Sequence, residues 1–275
     1  MAVLVRTRIV VVSAAIMALT SASGTAYSQD QDLAKKLANP IASLISVPFQ
    51  FNYDHDIGPA NKGEKYVVNI QPVVPFSLGA DWNVISRTIL PVVGQNDVFQ
   101  PFSNSDQFGL GDTVQSLFFS PKVPGASGIV WGAGPVLLLP TATNNRLGGE
   151  KWGVGPTAVA LKQSDGWTVG VLANHIWSVA GDSSRADVNS TFLQPFLSYT
   201  THKAWTYSLN TESTYNWETD QWSVPINFNI SKLTRFGKQP VSIGAGVRYW
   251  ADSPSTGPEG FGARASLTFL LPTGG

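Results

Sequence analysis

Charge is what this sequence has least of. Only 13% of its 275 residues are Asp, Glu, Lys or Arg, about half the ~25% usual in soluble domains. A soluble domain of this length would be wrapped in more of them. The charges that are present balance, 18 basic against 18 acidic, so there is no basic patch or stripe of the kind nucleic acid requires. Cysteine is absent. That excludes a disulfide framework and a Cys-bound zinc site, and it suits passage through an oxidising periplasm with nothing to mispair. The three histidines, His55, His175 and His202, are far apart in sequence, so no metal site is expected, and no cofactor. Beyond the N-terminal segment no apolar run reaches the ~20 residues of a transmembrane helix. The best stretch, Val130 to Leu139, is interrupted by glycines and a proline.

The N-terminal segment reads as an address. Arg6 and Arg8 precede the apolar run from Ile9 to Leu19, and small residues follow, ending in Ala26-Tyr27-Ser28. This is the order of a secretory signal peptide, with cleavage expected after Ser28 or, as the other candidate, after Ala26. Residues 29–42 follow as a periplasmic segment with a short amphipathic helix over 31–42, ended near Pro40. It is expected to be an ordered lead-in; the alternative is a plug at the barrel mouth.

From Ser43 to the end the period is two. The clearest case is 222–231, where Trp222, Val224, Ile226, Phe228 and Ile230 share one face and Ser223, Pro225, Asn227, Asn229 and Ser231 share the other. Successive strand side chains point to opposite sides, so one face suits lipid and the other water. A soluble sandwich also alternates, but its polar face is rich in Lys and Glu. Here that face is small and mostly uncharged. With a mean hydropathy of only +0.03, a chain of this kind can satisfy its backbone in a membrane only as a closed barrel. The fold expected over 43–275 is all-β, a transmembrane antiparallel up-and-down β-barrel of about 12 strands. The strands are placed near 43–54, 65–75, 80–92, 109–120, 129–139, 153–162, 167–179, 190–200, 203–213, 221–231, 240–250 and 260–271. Longer connections (55–64, 93–108, 140–152, 180–189, 214–220, 251–259) then alternate with shorter ones (76–79, 163–166, 201–202), with 121–128 and 232–239 as exceptions. Long extracellular loops and short periplasmic turns are the pattern of such barrels.

All nine tryptophans fall after residue 80, mostly near strand ends, as aromatic girdles at the two interfaces require. Prolines lie inside several strands, at Pro72, Pro75, Pro91, Pro135, Pro156, Pro195 and Pro225. Each removes a ladder hydrogen bond, so these sites should be bulges or kinks that shape the barrel. A side exit from lumen to lipid is the alternative use of such kinks.

Several segments resemble a known family. They are Phe108–Pro121 (FGLGDTVQSLFFSP), Trp131–Thr143 (WGAGPVLLLPTAT), Leu147–Pro156 (LGGEKWGVGP), Gln221–Phe228 (QWSVPINF) and Gly244–Trp250 (GAGVRYW). The chain resembles, over nearly its whole length after the signal peptide, the outer-membrane transporter family named after the meta-pathway of phenol degradation. The resemblance implies a bacterial outer-membrane barrel and uptake of aromatic or other hydrophobic compounds. It carries no catalytic or ligand residues over. The chain departs from many barrels in running past Phe269 to Leu-Leu-Pro-Thr-Gly-Gly rather than ending on an aromatic residue.

Chemistry is hard to find. The best nucleophile, Ser178, lies three residues after His175, and residues three apart on a strand point to opposite faces. A Ser/His pair is therefore not expected to form, and the chain is read as not an enzyme. Asp54-His55-Asp56 is read as a solvated loop, with a cation site as the alternative. Gly153-Val-Gly155 and Gly244-Ala-Gly246 lack the following helix of a dinucleotide fingerprint and are read as close backbone packing or room in the lumen. The inward face is expected to be lined by Asp81, Asn83, Arg87, Asp112, Gln115, Asn174, Asn210, Glu212, Asn227, Asn229, Arg248 and Arg264. Such residues either set selectivity or pair across the lumen, and their mixed signs imply weak charge selectivity. The expected function is a passive pore for small solutes, with outer-membrane lipid and a small-molecule solute as partners. The rivals are a barrel enzyme acting on lipid and a structural or surface barrel without flux.

Overall fold

The computed structural model of the protein describes residues 29–102 and 106–271. The expected signal peptide, 1–28, lies outside the described residues. A short helix, α1, spans 29–37. Twelve antiparallel strands follow. They are β1 (Ile45–Ile57), β2 (Gly63–Ile70, continued by Val73–Leu78), β3 (Trp82–Asn96) and β4 (Gln107–Leu110, continued by Thr113–Pro121). Then come β5 (Ile129–Leu139), β6 (Lys151–Ser164), β7 (Trp167–Gly181), β8 (Asn189–Thr200) and β9 (Trp205–Thr211, continued by Ser213–Asn216). The last are β10 (Gln221–Phe236), β11 (Gln239–Asp252) and β12 (Gly260–Leu271). Each pairs with its sequence neighbours, and β12 pairs with β1 from Ile45↔Leu271 to Tyr53↔Ala263. The sheet is thus closed, and no strand is left with an unpaired edge. Among the described residues no helix is long and apolar enough to cross a membrane.

The alternation seen in the sequence decides which side chains face out. On β10, Ile226, Phe228 and Ile230 are exposed, whereas Asn227 and Leu233 are buried. Exposed apolar side chains on every wall give the barrel an outer surface fit for lipid. Tryptophans mark its two borders. At the short-turn end Trp82 stacks edge-on against Trp131 at 5.9 Å, with Trp167 and Trp205 in the same belt. At the long-loop end Trp217 and Trp222 flank Tyr215 at 4.7 and 4.9 Å, joined by Trp152 and Trp177. Trp250 departs from the belt: it points inward and its Nε1 donates to Asp54 at 2.8 Å.

Of the two exceptional connections expected, one disappears and one stays. Residues 232–239 are almost all strand, because β10 and β11 run on to a tight turn at 237–238. The segment 122–128 remains a true exception among the short turns, held by Gly128 N donating to Gly125 O. The two-residue turn Asp165-Gly166 has both φ values positive, at 49° and 87°, the geometry of a hairpin whose twist matches its strands.

Prolines and strand breaks are matched across neighbours. Pro72 sits in the gap that divides β2, and Pro225 sits at a register shift in β10. Pro195 on β8 lies opposite Thr211, and β9 breaks at the next residue, Glu212, which lies opposite Pro225 of β10 and donates its N–H to Pro225 O. Pro135 and Pro156 face each other across β5 and β6, whereas Pro75 lies in an unbroken ladder with Ile85.

The N-terminal segment is not a lead-in lying outside the barrel. Ala34, Ala42 and Leu44 pack with Ala204, Leu233 and Leu270 inside the short-turn end. Ile41 reaches deeper, against Ile85, Phe118, Val159, Leu161 and Leu172. Tethers fix it at the rim: Gln163 Nε2 donates to Lys35 O at 2.8 Å, and Arg235 pairs with Asp30 at 2.7 Å. The alternative reading, a plug, is what forms, because the apolar face of the segment finds apolar lumen side chains to cover.

Candidate functional site

The lumen has two unlike walls. On β3–β8 the inward face carries an apolar patch, Ile85, Phe118, Val136, Val159, Leu161 and Leu172, all at most 3% exposed, set among mostly uncharged polar residues such as Asn83, Ser116, Thr157 and Thr168. This is why the alternation blurs at Ile85, which is apolar yet inward. On β9–β12 and β1–β2 the mid-lumen positions are mostly polar and charged, with Leu233 and Leu270 apolar at the plug end.

The charged wall is built from strand phase. The even positions of β1 place Asn52 and Asp54 inside, both buried. β12 pairs Arg264 with Asn52, and β2 pairs Lys65 with Asp54. The Arg264 guanidinium grips Glu212 with two bonds, of 3.0 and 2.8 Å, and donates from Nε to Asn52 Oδ1 at 2.7 Å. Such a fork on a carboxylate is among the stronger polar contacts a protein makes. One strand over, Arg248 pairs with Asp54 at 3.3 Å and lies over the Trp250 ring at 4.5 Å. Asn227 Nδ2 donates to Asn210 Oδ1 at 2.8 Å. Arg87, on β3 at the seam between the walls, donates to the neutral Gln71 Oε1 at 3.2 Å.

This layer separates two spaces. Above it, under the long loops, lies a cavity of about 420 Å3 lined by Asp54, Lys65, Glu212, Arg248 and Trp250. Below it, against α1, lies one of about 240 Å3 lined by Arg87, Leu37, Pro40, Phe196, Ser198 and Asn210 among others. A narrower crevice of about 150 Å3 continues past Pro40 between the plug and β1–β3, and Arg87 lines that too.

The structure puts Asn83, Arg87, Asn174, Asn210, Glu212, Asn227, Asn229, Arg248 and Arg264 on inward phases. Three expected lining residues stand elsewhere. Asp81 is exposed in the turn before β3. Asp112 sits in the gap of β4 and accepts from Gly149 N at 2.6 Å and Ala142 N at 3.2 Å, so it clamps the 140–150 loop. Gln115 pairs with Thr88 and Leu137 on the outward phase, where its Oε1 accepts from Thr88 Oγ1 and its Nε2 donates to Ser86 Oγ. The gap at Gly111-Asp112 shifts the phase that an unbroken strand would have had.

Asn52, Asp54 and Lys65 were missed as lining residues. The sequence reading puts Asp54 in a solvated acidic loop; β1 in fact continues to Ile57 and takes it inside. The signal was there in the run Ser46, Pro48, Gln50, Asn52, Asp54 against Val47, Phe49, Phe51, Tyr53. His55 and Asp56 do stay near the surface and pair with each other at 2.7 Å. No group of three or more metal-ligating side chains occurs among the described residues.

His175 and Ser178 stand on opposite faces of β7. His175 Nδ1 shares a hydrogen bond with Thr191 Oγ1 at 2.8 Å on the outside, whereas Ser178 Oγ donates to Asp187 at 3.1 Å. Gly155 and Gly246 are places of close backbone approach. A Cβ would meet His175 O at 1.7 Å in the first and Phe228 O at 2.2 Å in the second.

No family model and no curated protein sequence matches the chain. Solved structures do. The COG4313 outer membrane channel from Pseudomonas putida F1 superposes with a TM-score of 0.62 over 83% of this chain and 96% of its own, at 16% identity. The outer membrane phospholipase A from Escherichia coli superposes with a TM-score of 0.51 over 87% of this chain and 98% of its own, at 11% identity. Both likenesses are of fold: this chain is an outer-membrane-type β-barrel.

Proposed function

We propose that the protein is a channel of the bacterial outer membrane that lets small solutes pass through its lumen, apolar and aromatic ones among them. The observation that carries this reading is the charged layer between two lumen cavities. A merely structural barrel gains nothing from burying Asp54, Glu212, Arg248 and Arg264 on one wall, since desolvating ion pairs is costly. A wet passage with a polar constriction explains them. Solute would descend from the outer cavity past Arg248 and Arg264 to the inner one, and leave along the crevice beside Pro40 once α1 shifts.

The likeness to a channel supports this reading. The likeness to a phospholipase favours a lipid-cleaving barrel less, because His175 and Ser178 face opposite sides. Purified barrel in planar bilayers should give discrete conductance steps, altered by Arg87→Ala and Arg248→Ala. Silent bilayers with a barrel shown to be folded by its heat-modifiable gel migration would overturn the channel reading.

A further inference from the structure

The mid-lumen layer is not neutral. Among the described residues Lys65, Arg87, Arg248 and Arg264 face it from the cationic side, and Asp54 and Glu212 from the anionic side. The two acids are already engaged, one by Arg248 and Trp250 and the other by the Arg264 fork. Among the described residues two cations have no acid at ion-pair distance, Lys65 lying within electrostatic reach of Asp54 only. Lys65 opens on the outer cavity, and Arg87 on the inner one with only an amide oxygen for a partner. Glu212 is within electrostatic reach of Arg87 but serves Arg264 directly.

The inner cavity adds a second constraint. Around Arg87 it is apolar on the side of Leu37, Pro40 and Phe196 and polar on the side of Ser198 and Asn210. The Ser198 hydroxyl is buried there without a hydrogen-bond partner. A cation is repelled by Lys65 and Arg87. A neutral apolar solute leaves the guanidinium unpaired in a half-apolar space, which is unfavourable. A compact polyanion would fill the cationic layer but waste the apolar wall.

We propose that the inner cavity is a binding site for a small amphipathic monocarboxylate. Its carboxylate lies on Arg87, and its apolar body lies against α1, Pro40 and Phe196. Lys65 draws the anion into the outer cavity, and the mixed signs of the layer therefore yield anion preference. This rests on the channel reading for its route, though not for the binding itself.

The test uses 19F NMR line broadening of 4-fluorobenzoate with the full, detergent-solubilised barrel, and 4-fluorobenzyl alcohol as the neutral match. Empty micelles correct for partitioning. The carboxylate should broaden in a saturable way and be displaced by benzoate, and the alcohol should not. Arg87→Gln should weaken binding by about tenfold, the effect of losing one charge-assisted hydrogen bond. Lys65→Gln should lower the chloride-over-potassium preference in a salt gradient with little change in benzoate affinity. Gel migration confirms that each variant is folded. Equal binding of alcohol and carboxylate, absence of saturable binding, unaltered affinity in Arg87→Gln, or displacement by inorganic phosphate as effective as by benzoate would each overturn the proposal. Saturable benzoate binding in a barrel silent in bilayers would keep the site and remove the channel; conductance without benzoate binding would do the reverse.

Discussion

The two walls of the lumen are held by different physics. On the β3–β8 side, Phe118, Ile85 and Leu172 fill the interior and Ile41 of the plug locks onto them, as in the core of a soluble domain. On the opposite side the interior is a network of guanidinium forks and amides around Arg264, Glu212, Asn52 and Asp54. Burial of apolar area is non-directional and tolerates small displacement. Ionic pairing is directional and loses its value when one partner leaves. The apolar patch therefore suits the seat of Ile41 of the plug, and on the channel reading the charged wall suits the sorting of solutes. Stability and ion preference should separate accordingly in variants of the two walls.

Phe118→Ala should have the largest effect on stability. Phe118 is fully buried against Ile41, Ile85 and its neighbours. Truncating such a ring costs about 4 kcal/mol, to be read from urea unfolding of the barrel in lipid vesicles. The reversal potential in a salt gradient should stay where it was. A loss below about 1 kcal/mol would mean that the apolar wall does not act as a core, and the comparison between the walls would collapse.

Glu212→Ala comes next. It strands the buried Arg264 fork, and breaking one side of a buried pair costs about 3 kcal/mol. Here the expected pattern is the mirror image: a stability loss together with a shift toward anions, because one of the two acids described in the mid-lumen layer is gone. Glu212→Gln combined with Arg264→Gln removes both charges and should recover most of the stability while moving the reversal potential back. If the double variant is no more stable than Glu212→Ala, packing rather than charge accounts for the site.

The charged wall was largely legible in the sequence and the apolar wall was not. On β10 and β11 a polar residue stands at every second position between large apolar ones, so Asn227, Asn229 and Arg248 announce their face. On β5 both faces are apolar: Val130 and Val136 point in while Trp131 and Leu137 point out. Period two gives no phase when both classes are the same. Strand breaks were the other blind spot. Gln115 reads as inward only if β4 is continuous, and the gap at Gly111-Asp112 is set by Pro91 on a neighbouring strand, whose carbonyl takes the Gly111 N–H at 2.9 Å. The plug is hard to read from sequence because its seat is made of residues far along the chain. Ile41 alone does not reveal Phe118, Val159 and Leu172.

The smallest expected effect lies outside the membrane band, in the 182–188 loop above the apolar wall. Asp187 accepts from Lys151 Nζ at 2.9 Å and from Ser178 Oγ at 3.1 Å, and these bonds, that of Lys151 foremost, hold its carboxyl below the usual aspartate range. A depressed folded-state value means that the contact is at full strength above the ordinary aspartate value of about 3.9. It is lost as pH falls through the lower, folded-state value. Asp182 in the same loop is lowered too, by the backbone N–H and hydroxyl of Ser184, so a pH scan alone does not isolate Asp187. The chain has no cysteine, so a spin label at Ser183→Cys reports on this loop alone. Its mobility should rise below the ordinary aspartate range in the native loop. With Asp187→Asn it should already be raised at neutral pH, leaving only the smaller step due to Asp182. Barrel stability should barely change, since the Asp187 carboxylate is exposed and screened. Equal mobility in both proteins at neutral pH would show that Lys151, although only 7% exposed, is held by the barrel wall rather than by the loop, and that the loop is free of the wall beneath it.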